Sequence, residues 1–315
     1  MKKPLVSIIC DVYNHEKYIG KALDSFISQV TDFEFEILVH DDASTDSSQG
    51  IIEKYAEKYP NLVKPMRQKY NQYSKGKKID ILFQYPRVKG IFIAFCEGDD
   101  CWCDKFKLQK QVNALLKYPD IDICTHASYM KSSGKIIKTI KPINTFGVIP
   151  LKQVISGGGG FVATSSIMIR SKVIEQPKKF YMNYPFDYSL QIMGSLKGGM
   201  LFLPDVMSVY NYATENSWSR SCGINNEKAI SWQKKVISML KAVSFEIPKE
   251  RESVEKTISL AEIDLYAFEG RYFSILKNQK MLNLLTPRQK LKIIIGAFFG
   301  NKMLNIIKKI RYRSY

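Results

Sequence analysis

Three short apolar runs in the first third of the chain each stop at a cluster of acidic or amide side chains. Leu5 to Cys10 ends in Asp11-Val12-Tyr13-Asn14, Phe35 to His40 in Asp41-Asp42, and Ile91 to Cys96 in Glu97-Gly98-Asp99-Asp100. Between the runs, apolar residues recur at helical spacing. Tyr18, Ile19, Ala22, Leu23, Phe26, Ile27 and Val30 share one helix face, and Ile51, Ile52, Tyr55 and Tyr59 share another behind a capping Ser44 or Asp46. After the third run, Asp104 can cap a helix with Leu108, Val112, Leu115 and Leu116 inward, and Ile121 to Thr125 begins a further strand. This alternation predicts an α/β fold: a mostly parallel sheet with helices on both faces. Ligands of such sheets bind beyond the carboxyl ends of the strands. The three acidic ends are therefore expected on one rim.

Composition narrows the possibilities. With 315 residues and 45% apolar content the chain can build one large folded domain and an extension. Its six cysteines (Cys10, Cys96, Cys101, Cys103, Cys124, Cys222) sit in or beside apolar runs without a framework spacing, so they are read as reduced thiols of a cytoplasmic protein. Zinc is not expected, because Cys101-Trp-Cys103 has no second pair and His15, His40 and His126 show no ligand spacing. Leu5 to Cys10 is too short for a signal h-region, and no window reaches the roughly 18 apolar residues of a membrane span.

The net charge of +17 is concentrated in two blocks without a single acid: six basic residues from Lys64 to Lys78, and eight from Arg288 to Tyr315. The second interleaves its cations with Ile, Leu, Phe and Met, as a helix on an anionic membrane surface does. Charge alone also fits a nucleic-acid-binding protein, whose binding would be salt-sensitive. That reading leaves the acidic rim unexplained, and no nucleic acid is expected as a partner.

Carboxylates at a strand end serve as helix caps, as acid/base groups, or as ligands of a hard cation. Asp99 and Asp100 beside Glu97 repel one another in a low-dielectric cleft unless one is protonated or a cation lies between them. Mg²⁺ or Mn²⁺, which take oxygen ligands and bridge to phosphate, suit that donor set.

The stretches VSIICDVYNHEKYIGKALDSFISQ, FEILVHDDASTDSS and CEGDDCWCDKFKLQKQ, in that order and spacing, closely resemble the family 2 inverting nucleotide-sugar glycosyltransferases, whose catalytic domain has the GT-A fold. The resemblance covers residues 4 to 130 firmly and extends loosely to about 220. It implies that Asp11, Tyr13 and Asn14 lie by the nucleotide base, that Asp41 and Asp42 contact uracil and ribose, and that Asp99 and Asp100 form the metal-binding motif, with Asp99 also toward the nucleotide sugar. Glu97 replaces the usual first aspartate of that motif. Asp187, opening a helical stretch after the Gly157-Gly158-Gly159-Gly160 run, matches the family's catalytic base, with Asp205 as runner-up and expected to be structural. Where relatives carry Tyr-Arg-x-His, this chain reads Tyr210-Asn211-Tyr212-Ala213, so another group must stand near the diphosphate. Lys75, Trp102 and Trp218 are the candidate acceptor or phosphate contacts.

The expectation that follows is a GT-A domain over residues 1–222 and a helical, basic extension over 223–315. The implied reaction moves a sugar from a nucleotide donor, UDP-linked by this reading, to a glycan or polyprenyl-linked acceptor in bacterial surface polysaccharide, lipopolysaccharide or capsule synthesis, at the inner membrane face. A sugar nucleotidyltransferase is the enzyme alternative, but the Gly-rich, basic phosphate loop it needs is absent after Cys10.

Overall fold

The computed structural model describes residues 3–214 and 225–299. Trp218, Cys222 and most of the basic tail lie outside the described residues. The chain divides into two compact units, Met1–Arg220 and Ser221–Tyr315.

The first unit is built on one ten-stranded sheet. Its elements are β1 (Val6–Val12), α1 (Ile19–Ile27), β2 (Phe35–Asp41), α2 (Ser48–Lys58), β3 (Val63–Arg67), β4 (Phe92–Phe95), β5 (Cys101–Trp102), α3 (Lys107–Lys117), β6 (Ile123–Ser132), β7 (Lys135–Ile140), β8 (Gly147–Ile149), α4 (Leu151–Gly157), β9 (Met168–Arg170), α5 (Lys172–Glu175), α6 (Lys179–Asn183), α7 (Asp187–Gly194) and β10 (Met200–Asn211). The order β3-β2-β1-β4-β9-β6-β10-β5 places the first apolar run centrally, between two parallel neighbours. Burial on both faces explains why β1 reads as a continuous apolar run rather than an alternation. Helix α1 buries Ile19, Ala22, Leu23 and Phe26, the face its spacing predicts. Ile19, Leu23 and Phe26 each contribute about 1.5–3 kcal/mol on leaving water.

The sheet is mixed rather than mostly parallel. It is parallel from β3 to β4, but β9 enters antiparallel between β4 and β6. Strand β9 has only three residues, too few to announce a period in the sequence. Asp46, rather than Ser44, accepts from the N–H of Ser48 at the start of α2 (2.9 Å), and Asp104 accepts from the N–H of Phe106 (2.8 Å) before α3. All five described cysteines are free thiols.

The second unit is helical. Helix α8 (Asn226–Glu246) opens at Asn225, whose side chain accepts from the N–H of Lys228, and packs along α9 (Arg251–Phe268). Helices α10 (Tyr272–Leu276) and α11 (Gln279–Leu284) follow, with a further helix over 287–299. Ile263, Tyr272, Ile275, Met281, Leu285 and Ile293 form its core. No described helix is long and apolar enough to cross a membrane.

Candidate active site

The parallel pairing of β1 with β2 and β4 carries the acidic strand ends to one edge, and backbone hydrogen bonds lace them together. The N–H of Asp42 donates to the carbonyl of Val12 (2.9 Å), and the N–H of Gly98 to that of Asp11 (2.9 Å). A Cβ on Gly98 would stand 2.8 Å from Val12 Cγ2 and 2.9 Å from His15 Nδ1, so only glycine lets the acidic loop run against β1. The loops after β1 and β2 are equally tied: Asn14, at φ 57°, donates its N–H to Ser44 Oγ and accepts from the N–H of Thr45 (2.8 Å) through its side-chain oxygen.

The rim is crowded with carboxyl groups. Desolvation in the cleft, then the charges of Asp99, Asp187 and Asp11, push Glu97 up to about 8, although its side chain opens to solvent at the cleft mouth. Burial and the neighbouring Asp99 push Asp100 well up, against a hydrogen bond from the N–H of Asn211. Burial, and then Asp80, raise Asp11 as well. His15, lowered by burial, sits among Asp99, Asp46 and Asp41 as a neutral imidazole. Asp187 belongs to the same cluster despite a separation of 90 residues from Glu97, and burial raises its carboxyl too.

The expected nucleoside contacts are brought together, with different freedoms. Asp11 keeps a third of its side chain exposed and Tyr13 is 39% exposed. Asp41 is turned onto the hydroxyl and N–H of Ser44. Both carboxylate oxygens of Asp42 accept backbone N–H groups from the basic loop, Gln72 at 2.7 Å and Tyr73 at 2.9 Å. Asn14 braces the two loops. Lys75 rides on that basic loop, its Nζ over the ring of Tyr70 at 4.5 Å.

The acidic motif is held by the segment that departs from the family pattern. The Asn211 side chain donates to the carbonyl of Asp99 (2.6 Å) and its N–H to Asp100 Oδ1 (2.8 Å), while the Thr214 hydroxyl donates to Asp99 Oδ2 (2.9 Å). Asn211 thus fixes the acidic loop through both its side chain and its backbone N–H. Among the described residues no three Asp, Glu, His or Cys side chains close into a metal cage. The donor set nevertheless fits a hard cation: Mg²⁺ and Mn²⁺ sites commonly take one or two carboxylates and complete their shell with water and phosphate. Mutually raised carboxyls are the electrostatic mark of a place that favours positive charge.

Asp187 opens α7 as its sequence position implies. Its Oδ1 accepts from the N–H of Tyr188 (2.7 Å) and its Oδ2 from the Thr164 hydroxyl (3.4 Å), while Gly159 packs beside it with 3.9 Å from its Cβ position to Oδ1. Asp205 pairs with Lys110 (2.8 Å) on the surface, a structural role.

The structure corrects one expectation and supplies two residues that the sequence reading missed. Trp102 is 5% exposed; its ring packs on Phe26 at 4.6 Å and under Lys107 Nζ at 4.0 Å, and its indole N–H donates to the carbonyl of Ser165 (3.1 Å). It is a core residue, closed to an acceptor. Asp80 and Gln84, on the turn Asp80–Gln84, instead face Asp11. Neither belongs to a recognised motif, and only the turn's fold-back brings them to β1.

This curled mixed sheet, flanked by helices and with an acidic rim at the strand ends, is the GT-A architecture. Residues 7–176, more than half of the chain, match the glycosyl transferase family 2 profile. The chain belongs to glycosyl transferase family 2. An uncharacterized protein of Mycobacterium tuberculosis is 31% identical over 214 residues, covering 68% of this chain and 60% of that protein. The chain thus spans about 60% of the length of such a relative. A poly(ribitol-phosphate) beta-glucosyltransferase of Bacillus spizizenii is 36% identical over 96 residues, 30% of this chain and 15% of that one. Among solved structures, S. aureus TarS 1-349 in complex with UDP-GlcNAc superposes with a TM-score of 0.61 at 20% identity, covering 89% of this chain and 79% of TarS. The mannosyltransferase PcManGT of Pyrobaculum calidifontis, in complex with GDP-Man and Mn²⁺, gives 0.55 at 14% identity over 96% of this chain and 89% of its own. Both likenesses concern the fold.

Proposed function

We propose that the chain is an inverting glycosyltransferase that moves a sugar from a nucleoside diphosphate, UDP in the first instance, to a glycan or lipid-linked acceptor in surface polysaccharide synthesis. The observation that carries this reading is the convergence of carboxyls from three parts of the chain: Asp11 at the end of β1, Asp99 on the loop after β4 and Asp187 at the start of α7 all lie within electrostatic reach of Glu97. Asp11 and Tyr13 face the nucleoside. Asp99 and Asp100 would hold a divalent cation, which would supply Lewis-acid stabilisation of the leaving diphosphate. Asp187 takes the proton of the acceptor hydroxyl as its oxygen bonds to the anomeric carbon; the carbon–oxygen bond to the diphosphate breaks with its electron pair leaving on the diphosphate, and configuration inverts. A carboxyl raised by burial is a stronger base once ionised, which suits that task. A donor role for UDP and an acceptor of wall-polymer type draw on the similarity to TarS bound to UDP-GlcNAc and to the poly(ribitol-phosphate) transferase. The catalytic chemistry is assigned to residues 1–222, and 223–315 form the helical extension.

The test is a panel of nucleotide sugars assayed for thermal stabilisation and for sugar release, with and without Mn²⁺ or Mg²⁺. UDP-sugars are expected to raise the melting temperature most, and more with the cation. If no nucleoside diphosphate stabilises the protein with metal present, the reading fails.

The second half of the proposal is peripheral docking on anionic lipid through the basic C-terminal helix. In its described part, Phe298 is 70% and Leu291 57% exposed beside Arg288 and Lys292, an apolar and cationic pairing suited to a headgroup layer. Ile293 on the same helix is buried in the unit's core, so the chain is best shortened after residue 299 rather than after Pro287. Sedimentation with phosphatidylglycerol vesicles is expected to weaken in the shortened chain and in Phe298→Ser; undiminished binding by both overturns the docking.

A further inference from the structure

Gln84 stands outside every motif of the sequence and is fully buried, with 0% of its surface exposed. A buried primary amide needs partners for both ends. Its Nε2 donates to Asp11 Oδ1 at 2.7 Å, with the carbonyls of Leu38 (3.2 Å) and Cys10 (3.4 Å) alongside. Its Oε1 accepts from Arg87 Nη1 at 3.3 Å. Which end is which follows from the partners. A guanidinium has donors only, so the oxygen must face Arg87 and the N–H groups must face Asp11. Arg87 is itself fixed by the carbonyls of Lys64 and Val39.

Gln84 therefore reaches from one turn to two neighbouring strands and then to Asp11, which keeps a third of its side chain exposed. The turn that carries it, Asp80–Gln84, has π-helical hydrogen bonding, a distortion that recurs at functional sites. It brings Asp80 to Asp11 as a second hydrogen-bonding partner. The ring of His40, fully buried, lies 3.7 Å from Asp11 on the opposite strand and stacks on Phe83 of the same turn. Asp11 stands beside Asp80 and Asp42, whose negative charges disfavour its own. The amide of Gln84 is a neutral donor that holds Asp11 Oδ1 against the strands.

We propose that Gln84 is a positioning residue for donor binding, which sets the direction in which Asp11 presents its carboxyl to the nucleoside. This rests on the reading of Asp11 as a nucleoside contact. Gln84 touches no substrate and acts through Asp11 alone.

A double-mutant cycle on the full chain tests it, with UDP affinity read by titration calorimetry and folding by melting temperature. Gln84→Met keeps the length and removes the donor. It is expected to weaken UDP about tenfold in the wild-type background and less than about twofold in Asp11→Asn, because coupled residues are non-additive. Gln84→Glu, with Arg87 as its ionic partner, is the second variant should Gln84→Met fold poorly. It sets a carboxylate against Asp11 and is expected to bind UDP more weakly still, and adding Asp11→Asn, whose amide can donate to Glu, is expected to restore affinity relative to Gln84→Glu alone. Equal losses in both backgrounds, or a lower melting temperature with UDP affinity unchanged, overturn the proposal and leave the functional reading intact. If the wild-type chain binds no nucleoside diphosphate, both fall together.

Discussion

Asp42 and Gln72 are joined by a 2.7 Å hydrogen bond from a backbone N–H to a carboxylate oxygen, and the next N–H, that of Tyr73, takes the other oxygen at 2.9 Å. A side chain expected at the nucleoside is thereby the anchor of the basic loop. The loop is otherwise open: Tyr73 is 65% and Tyr70 56% exposed. A donor bound at Asp42, as proposed, would share those two oxygens with the N–H groups of the loop.

Removing the anchor is expected to free the loop. Asp42→Ala loses two charge-assisted hydrogen bonds at a buried position, each worth about 1.5–3 kcal/mol. Trypsin should then cut at Lys69, Lys75, Lys77 or Lys78 at least several-fold faster than in the wild-type chain, with mass spectrometry locating the cuts. Unchanged cleavage would show that the two amide bonds do not hold the loop.

Asp187→Asn keeps an oxygen for the N–H of Tyr188 and turns its amide N–H toward the Thr164 hydroxyl, which can accept it, so folding should be little affected. Loss of the proton acceptor is expected to lower kcat by about 10²–10⁴, the usual contribution of general base catalysis. Initial rates under saturating donor and acceptor, with melting temperature as control, decide it. A rate within a few-fold of wild type removes Asp187 from the reaction.

Much of this site was legible before the structure. The apolar runs ending in acid place Asp11, Asp41, Asp42, Asp99 and Asp100 on one rim, because parallel pairing carries strand ends to one edge, and the caps Asp46 and Asp104 follow from short-range chemistry. Whether Trp102 packs in the core or lines the acceptor site was open in the sequence, because a two-residue strand, β5, turns its side chain inward and nothing local distinguishes that from an outward turn. Gln84 and Asp80 were invisible for another reason: their importance comes from contacts with Asp11 across about 70 residues, made by a turn with neither helical nor strand period. The same holds for Asn211, whose two bonds to the acidic loop span about 110 positions.

The placement of Trp102 has its own consequence. Trp102→Ala removes a buried ring packed on Phe26 and an indole hydrogen bond, and should cost about 3–5 kcal/mol of stability. Trp102→Phe should cost less and leave donor affinity and acceptor KM as they are. Denaturant melts alongside acceptor kinetics check both statements, and a raised acceptor KM in a fully folded Trp102→Phe would return the residue to the acceptor site.

Acid titration should reveal two opposed groups beside Asp11. Burial first, and then the charge of Glu97, raise Asp80 to about 6 against a hydrogen bond with Asp11, while burial lowers His40 to about 4. For Asp80 the folded pKa lies above the unfolded one, so between about 4 and 6 the folded state binds more protons and stability falls as pH rises. For His40 the folded pKa lies below the unfolded 6.5, so from 6.5 down to about 4 the unfolded state binds more protons and stability falls as pH drops. The two slopes, each limited to roughly 1.4 kcal/mol per pH unit, partly cancel over their shared window. Asp80→Asn is therefore expected to expose a stability that climbs with pH between about 4 and 6, and His40→Gln the reverse. Urea midpoints measured across that range provide the check, and a profile that neither substitution alters would mean that the two groups do not titrate with folding.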